Sequence, residues 1–65
     1  MFTQESFNEY FQQLLELEQM MHREASELAA YLPEGKYSLL MRHVAEDEAR
    51  HVELVKELIR LSREA

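Results

Sequence analysis

The chain has 65 residues, enough for one small domain at most, and a single core of that size rarely supplies more than ~3–5 kcal/mol. It has no cysteine, which excludes disulfides, thiolate zinc sites and iron–sulfur centres. Thirteen acidic residues against seven basic ones give a net charge of −6. This charge argues against nucleic acid or an anionic membrane as a partner and suits the attraction of cations. Metal binding, oligomerisation or both remain as ways to stabilise so short a chain.

The composition favours an all-helical protein. Hydrophobic residues make up 46% of the chain, and only one Gly and one Pro interrupt a sequence rich in Leu, Glu, Ala and Met. No apolar run approaches the ~18 residues of a membrane span, and the N-terminus lacks the basic and apolar regions of a secretion signal. We therefore expect a cytoplasmic protein with no membrane partner.

A first helix is predicted over about residues 4–32. Thr3 and Ser6 are both candidate N-caps, and Ser6 followed by Glu9 has the spacing of a capping box. The clearest stripe has the alternating four- and three-residue spacing of a helical seam. Its members are Phe7, Phe11, Leu14, Glu18, Met21, Ala25, Leu28 and Leu32. All are apolar except Glu18, so one carboxylate is predicted to face the core.

The segment Pro33-Glu34-Gly35 predicts a turn, and a second helix follows over about residues 36–63. Its predicted seam has the same alternating spacing and comprises Tyr37, Met41, Val44, Glu48, His51, Val55, Leu58 and Ser62. The face is wider than that of a two-stranded coiled coil, because it has flanking apolar residues at Leu40, Ala45, Val52, Leu54, Ile59 and Leu61. We therefore predict one domain over 1–65, an antiparallel helical hairpin that dimerises into a four-helix bundle.

The polar residues of the two seams have the chemistry of metal ligands. Glu48 and His51 lie three apart and project from one face of a helix. Glu18 and Glu48 each stand about fifteen residues from the turn, so both lie at the same level, ~22 Å along the hairpin. A buried carboxylate needs a partner charge. Two hairpins would offer four Glu and two His, a set that matches the charge of two divalent cations.

This arrangement resembles a known motif. Glu18 followed by Asp47-Glu48-Ala49-Arg50-His51 is similar to the E…DExRH half-motif of the ferritin-like di-iron carboxylate superfamily, which includes ferritins and rubrerythrins. The resemblance covers nearly the whole chain and extends to designed "due ferri" hairpin dimers. Most members carry two such half-motifs, whereas this chain carries one, a layout similar to that of the encapsulated ferritins. The resemblance implies two iron ions per dimer, with manganese or zinc as substitutes.

The resemblance also implies roles for individual residues. Glu18 would be a terminal or bridging ligand, Glu48 a bridging ligand and His51 a terminal ligand. Asp47 would accept a hydrogen bond from the distal imidazole N–H, and Arg50 would pair with Asp47, either within the chain or across the dimer. His22, one turn after Glu18, is a further candidate ligand, although a surface histidine is the simpler interpretation. The alternative for the three main residues is a purely structural one, in which polar seam residues set the register or oligomeric state.

The function implied by the resemblance is ferroxidase chemistry, the oxidation of Fe²⁺ by O₂ or H₂O₂. A peroxidase or small-substrate oxidase could use the same di-metal site, and repeated turnover would then need an external electron donor. A third interpretation is a non-catalytic scaffold that a metal stabilises. All three require a homo-oligomer, whether a dimer, a ring or a cage. No catalytic residue beyond the metal ligands is predicted.

Overall fold

The computed structural model describes residues 3–64, and these form two long α-helices with no strand. Helix α1 spans Gln4–Tyr31 and helix α2 spans Lys36–Glu64, so each bound lies within one residue of the expected one. The hairpin is 46 Å long and about 15 Å across. This confirms the prediction of an all-helical hairpin. Neither helix of the described region has an apolar stretch long enough to cross a lipid bilayer.

Hydrogen bonds made by short side chains define where each helix begins. Thr3 is the N-cap of α1: its hydroxyl accepts from the Ser6 N–H at 3.1 Å, and the Ser6 hydroxyl accepts from the Thr3 N–H at 2.8 Å. Ser6 is therefore the partner of the cap, and the predicted box of Ser6 with Glu9 is wrong. Before α2, the Ser38 hydroxyl reaches back to the Gly35 N–H at 3.1 Å. Ser38 is almost completely buried, with 1% of its surface exposed.

The turn brings α2 back antiparallel to α1. Leu32 leaves helical geometry at φ −69° and ψ 144°, as expected for a residue before proline. Gly35 adopts a positive φ of 154°, which a residue with a side chain would seldom adopt. At the open end of the hairpin, the Gln4 amide donates to the Ser62 carbonyl at 2.9 Å. The Ser62 hydroxyl also donates to Asn8 Oδ1 at 2.9 Å, so both ends of the hairpin are fastened.

The contact between the two helices is made by small residues toward the turn and by larger ones toward the open end. The buried residues are Ala25 and Ala29 of α1 with Ser38, Ala45, Glu48, Val52, Val55 and Ile59 of α2. Seven residues of the two predicted seams are exposed in the single hairpin: Phe7, Met21 and Leu28 of α1, and Tyr37, Val44, His51 and Leu58 of α2. Ala25, Ala29, Ser38 and Ala45 make the contact near the turn, where small side chains let the backbones approach closely, and Val52, Val55 and Ile59 make it toward the open end.

Candidate metal site

Three predicted ligands converge at the middle of the hairpin. Glu18 lies halfway along α1, and Glu48 and His51 occupy successive turns of α2 at the same level. One potential ligand atom from each of these residues lies within 4.8 Å of the other two. Glu48 is buried, Glu18 is partly buried, and the His51 side chain is 51% exposed. The site therefore has two carboxylates at its base and an imidazole at its outer edge.

The distances suit ligands of a shared ion better than direct hydrogen bonds. His51 Nδ1 lies 3.6 Å from Glu18 Oε2 and 3.6 Å from Glu48 Oε2, which is too long for a hydrogen bond. Two atoms that each bind one metal ion at ~2.1 Å are ~3.0–4.2 Å apart, depending on the angle between them. Both measured separations fall within that interval. The nitrogen that faces the carboxylates is Nδ1, which leaves Nε2 on the distal side of the ring.

The carboxylates have a hydrogen-bonding deficit that a cation would satisfy. Glu18 Oε2 and Glu48 Oε2 are both buried and accept no hydrogen bond. Native proteins seldom leave buried polar atoms in this state, because the lost hydration is not replaced. Two carboxylates and one imidazole form a mainly oxygen donor set, which iron and manganese favour and zinc accepts. The residues present therefore fit a divalent cation.

The proximity of the two carboxylates also affects protonation. The pKa of Glu18 is raised above its ordinary value of 4.5, chiefly because the Glu48 carboxyl can share a retained proton through a hydrogen bond. Burial and the negative charge of Glu48 act in the same direction, whereas His51 opposes the shift. Without a cation, this pair therefore resists carrying two negative charges.

An apolar groove of about 270 Å³ adjoins the carboxylates toward the turn. Met21, Ala25, Leu28, Met41 and Val44 line it, with Glu48 at its inner end and Glu24 also lining it. Glu24 is exposed, and the sequence alone did not single it out as a residue of this groove. The signal was its spacing, because residue 24 follows Met21 by three and precedes Leu28 by four, which places all three on one side of α1.

The remaining candidate residues lie outside the cluster. Asp47 pairs with Arg50 of the same helix, and both side chains are more than half exposed. This is the Asp–Arg pair that the motif implied, formed here within one chain, and Asp47 meets Arg50 rather than the imidazole. His22 lines a different groove, of about 470 Å³, on the opposite side of the hairpin together with Arg42 and Glu46. Its imidazole is not part of the Glu18, Glu48 and His51 group.

Comparison with known protein families, with characterised proteins and with solved structures finds no match to this chain. The functional interpretation therefore depends on the geometry and chemistry of the site itself.

Proposed function

We propose that the protein binds Fe²⁺ at Glu18, Glu48 and His51 as a pair of ions between two copies of the chain, and oxidises it with O₂ or H₂O₂. The observation that carries the proposal is the pair of buried carboxylate oxygens without hydrogen-bond donors, each 3.6 Å from the same imidazole nitrogen. No other group of three potential ligands of this kind occurs within residues 3–64. A buried pair of ionised carboxylates is unfavourable unless a cation balances the charge or the pair retains a shared proton, and the cation is the partner that leaves both groups ionised.

A second copy would complete the coordination set. One hairpin supplies two carboxylates, which match one divalent cation, and two hairpins related by a twofold axis supply four carboxylates and two imidazoles. The His51 side of the site is half exposed, so a partner can reach it. The apolar groove beside Glu48 would then become enclosed, and exclusion of water would strengthen the attraction between the carboxylates and the ions.

In this proposal the protein residues hold and orient the substrate iron, and the redox chemistry belongs to the iron. Two Fe²⁺ ions lose one electron each, and O₂ takes up both electrons with two protons to become H₂O₂. With H₂O₂ as the oxidant, two electrons and two protons yield two molecules of water. Glu18 and Glu48 neutralise the Fe²⁺ charge, and His51 supplies a neutral nitrogen donor.

The test is oxygen consumption during addition of excess Fe²⁺. We expect repeated turnover, with about two Fe²⁺ oxidised for each O₂ consumed when H₂O₂ is the product. The Glu48→Ala variant should lose this activity, and Glu46→Ala, which changes an exposed acid lining the opposite groove, should retain it. Oxidation at the rate of protein-free buffer would contradict the proposal.

A metal-stabilised scaffold is the second candidate, and the thin core of the hairpin favours it. The buried apolar residues are three alanines with Val52, Val55 and Ile59, which provide little apolar burial for two helices of this length. A bound cation would then serve chiefly to stabilise the assembly. Tight binding of one Fe²⁺ per chain with no sustained oxygen consumption would favour the scaffold over the ferroxidase.

A further inference from the structure

The face of the hairpin that carries His51 is apolar along its length; we call it the site face. On α1 it presents a line of residues at seven-residue intervals, and on α2 a second such line passes through His51. In the hairpin, Phe7, Met21, Leu28, Val44 and Leu58 on these lines are each about two-fifths exposed. Large apolar residues left half covered at regular intervals are typical of a surface that a further helix pair covers.

The groove on the opposite side of the hairpin is less apolar than the one on the site face. It is lined by alanines and by polar or charged residues, among them His22, Ser26, Arg42 and Glu46. The whole hairpin is 46 Å long and about 15 Å across, so one side of it offers an area of the same order as the ~800 Å² that a standard interface takes from each partner. A second copy of this chain is therefore an occupant of suitable size, and it would bring a matching apolar face.

Charge opposes this pairing when no cation is present. Glu18 and Glu48 lie in the middle of the site face with their Oε2 atoms buried and lacking hydrogen-bond donors. A second copy would bring two more carboxylates to the same level and would exclude the water that hydrates the outer part of the site. Four carboxylates without counter-charge in a closed interface are strongly unfavourable. The apolar residues therefore favour closure, and the acids at the centre oppose it.

Each chain carries all three candidate ligands, so a cation can neutralise its two carboxylates before the chain meets a second copy. Glu18, Glu48 and His51 all belong to one hairpin, and their ligand atoms already converge without any contribution from a partner. A single divalent cation balances the charge of the two carboxylates. Loading can thus precede pairing, because the free hairpin already supplies three ligands and leaves the ring edge of His51 open.

We propose that a divalent cation controls closure of the site face. Each hairpin binds one cation through Glu18, Glu48 and His51, and only the neutralised face then pairs with a second copy. The inference rests on the metal-binding part of the proposed function and is independent of whether iron is oxidised. Zn²⁺, which has no redox chemistry, is therefore a suitable probe.

The first test measures solution mass against protein concentration, with Zn²⁺ or with a chelator. We expect the midpoint of dimerisation to fall by at least about tenfold in protein concentration when Zn²⁺ is present. The same midpoint in both conditions would overturn the proposal.

A charge-neutral pair of substitutions provides the sharper test. Glu18→Gln combined with Glu48→Gln keeps the side-chain shapes and removes both charges, so this variant should dimerise in chelator and should no longer respond to Zn²⁺. The matched control is Glu46→Gln combined with Glu57→Gln, which changes the net charge equally at exposed positions and should still require Zn²⁺. A folded Glu18→Gln/Glu48→Gln chain that stays monomeric in chelator, or a control that dimerises there, would contradict charge-controlled closure.

The wild-type chain offers an internal test that does not depend on any variant folding. Met20 and Met21 are each 39% exposed in the hairpin, but they are neighbours on α1 and point ~100° apart. Met21 lines the groove beside Glu48. Brief treatment with H₂O₂ should oxidise both methionines equally in chelator, and in Zn²⁺ Met21 should react at least about fivefold more slowly than Met20. Equal rates in Zn²⁺, or protection of Met21 in chelator as well, would overturn the proposal.

The outcomes also separate this inference from the proposed function. Zn²⁺-dependent pairing in a protein that fails to oxidise Fe²⁺ would support cation-controlled closure and refute the ferroxidase activity. Fe²⁺ oxidation by a chain whose mass and Met21 reactivity ignore Zn²⁺ would refute cation-controlled closure alone.

Discussion

The two sides of the hairpin differ in their exposed apolar residues and in their buried polar atoms. On the site face, large apolar residues are half covered, and two carboxylate oxygens are buried without hydrogen bonds. On the opposite side, a groove is lined by alanines, Ser26 and charged side chains, which water can solvate. The candidate metal ligands and the line of half-covered apolar residues therefore lie on the same face. The comparison shows that the Glu18, Glu48 and His51 cluster lies on the side of the hairpin where large apolar residues are only half covered.

The level of the site along the hairpin adds to this contrast. Toward the turn, Ala25, Ala29, Ala45 and Ser38 bring the helices together, and their small side chains leave little apolar surface to stabilise the contact. At mid-length Glu48 is buried next to Glu18, with Val52 buried one turn further along α2. The hairpin thus places its least favourable buried groups at the centre, where a cation would relieve them.

The largest effect is expected from removing the buried ligand. Glu48→Ala should weaken binding of Mn²⁺ by more than ~100-fold, because removing even an outer contact of a metal site costs ~10–100-fold in affinity. Glu46→Ala removes an exposed acid from the opposite side of α2 and should leave the affinity nearly unchanged. Calorimetric titration under anaerobic conditions measures both. Equal weakening by the two substitutions would show that general negative charge, rather than the site, attracts the ion.

The two histidines provide a second matched pair. His51→Ala should weaken Mn²⁺ binding by about 100-fold, since it removes the nitrogen that lies 3.6 Å from both carboxylates. His22→Ala should have little effect on the same titration, because His22 lines the groove on the other side of the hairpin. A large loss of affinity in the His22 variant would indicate that His22 is a metal ligand after all.

The sequence predicted the helices and the meeting of the ligands for clear physical reasons. Pro33 and Gly35 lie in the turn, so the end of α1 and the start of α2 could be predicted from them. Glu18 and Glu48 are equally far from that turn, so an antiparallel hairpin had to bring them level. The motif's spacing then placed His51 beside Glu48.

The rotation of α2 could not be predicted from the sequence. Both helices have wide apolar faces. On α2, the predicted seam through Val44 and the alternative line through Ala45 both contain Met41, Glu48 and Val55. The predicted face included Ala45, Val52 and Ile59, which the hairpin buries, as well as Val44 and Leu58, which it leaves exposed. Hydrophobicity alone does not distinguish these two groups, and the burial of Ser38 was not predicted. The choice of Thr3 over Ser6 as the cap was open because both lie within one turn.

A smaller effect is expected in the pH dependence of stability without metal. The raised pKa of Glu18 means that ionising this group is harder in the folded chain than in the unfolded one, so stability is lost as pH rises above 4.5 through the folded pKa. Glu18→Gln should remove that loss. Denaturant titrations in chelator between pH 4 and pH 8 measure it, and parallel curves for the variant and the wild type would contradict the assignment.

Glu57 is the matched control for this pH dependence. A hydrogen bond from Arg60 lowers the pKa of Glu57, so its contribution to stability is present at neutral pH and is lost as pH falls. Because both side chains are exposed, Glu57→Gln should change the curve only slightly and in the opposite direction to Glu18→Gln.

The central claim is that Glu18, Glu48 and His51 hold a divalent cation, and a thermal melt with bound-metal analysis tests it most directly. Anaerobic Mn²⁺ at a hundredfold excess over its dissociation constant should stabilise the folded state by about 2.7 kcal/mol. This corresponds to a rise of roughly 10–20 °C in Tm for a domain of this size, with one ion bound per chain. An unchanged Tm in saturating Mn²⁺, or ions that stay bound in the Glu48→Ala variant, would contradict the claim.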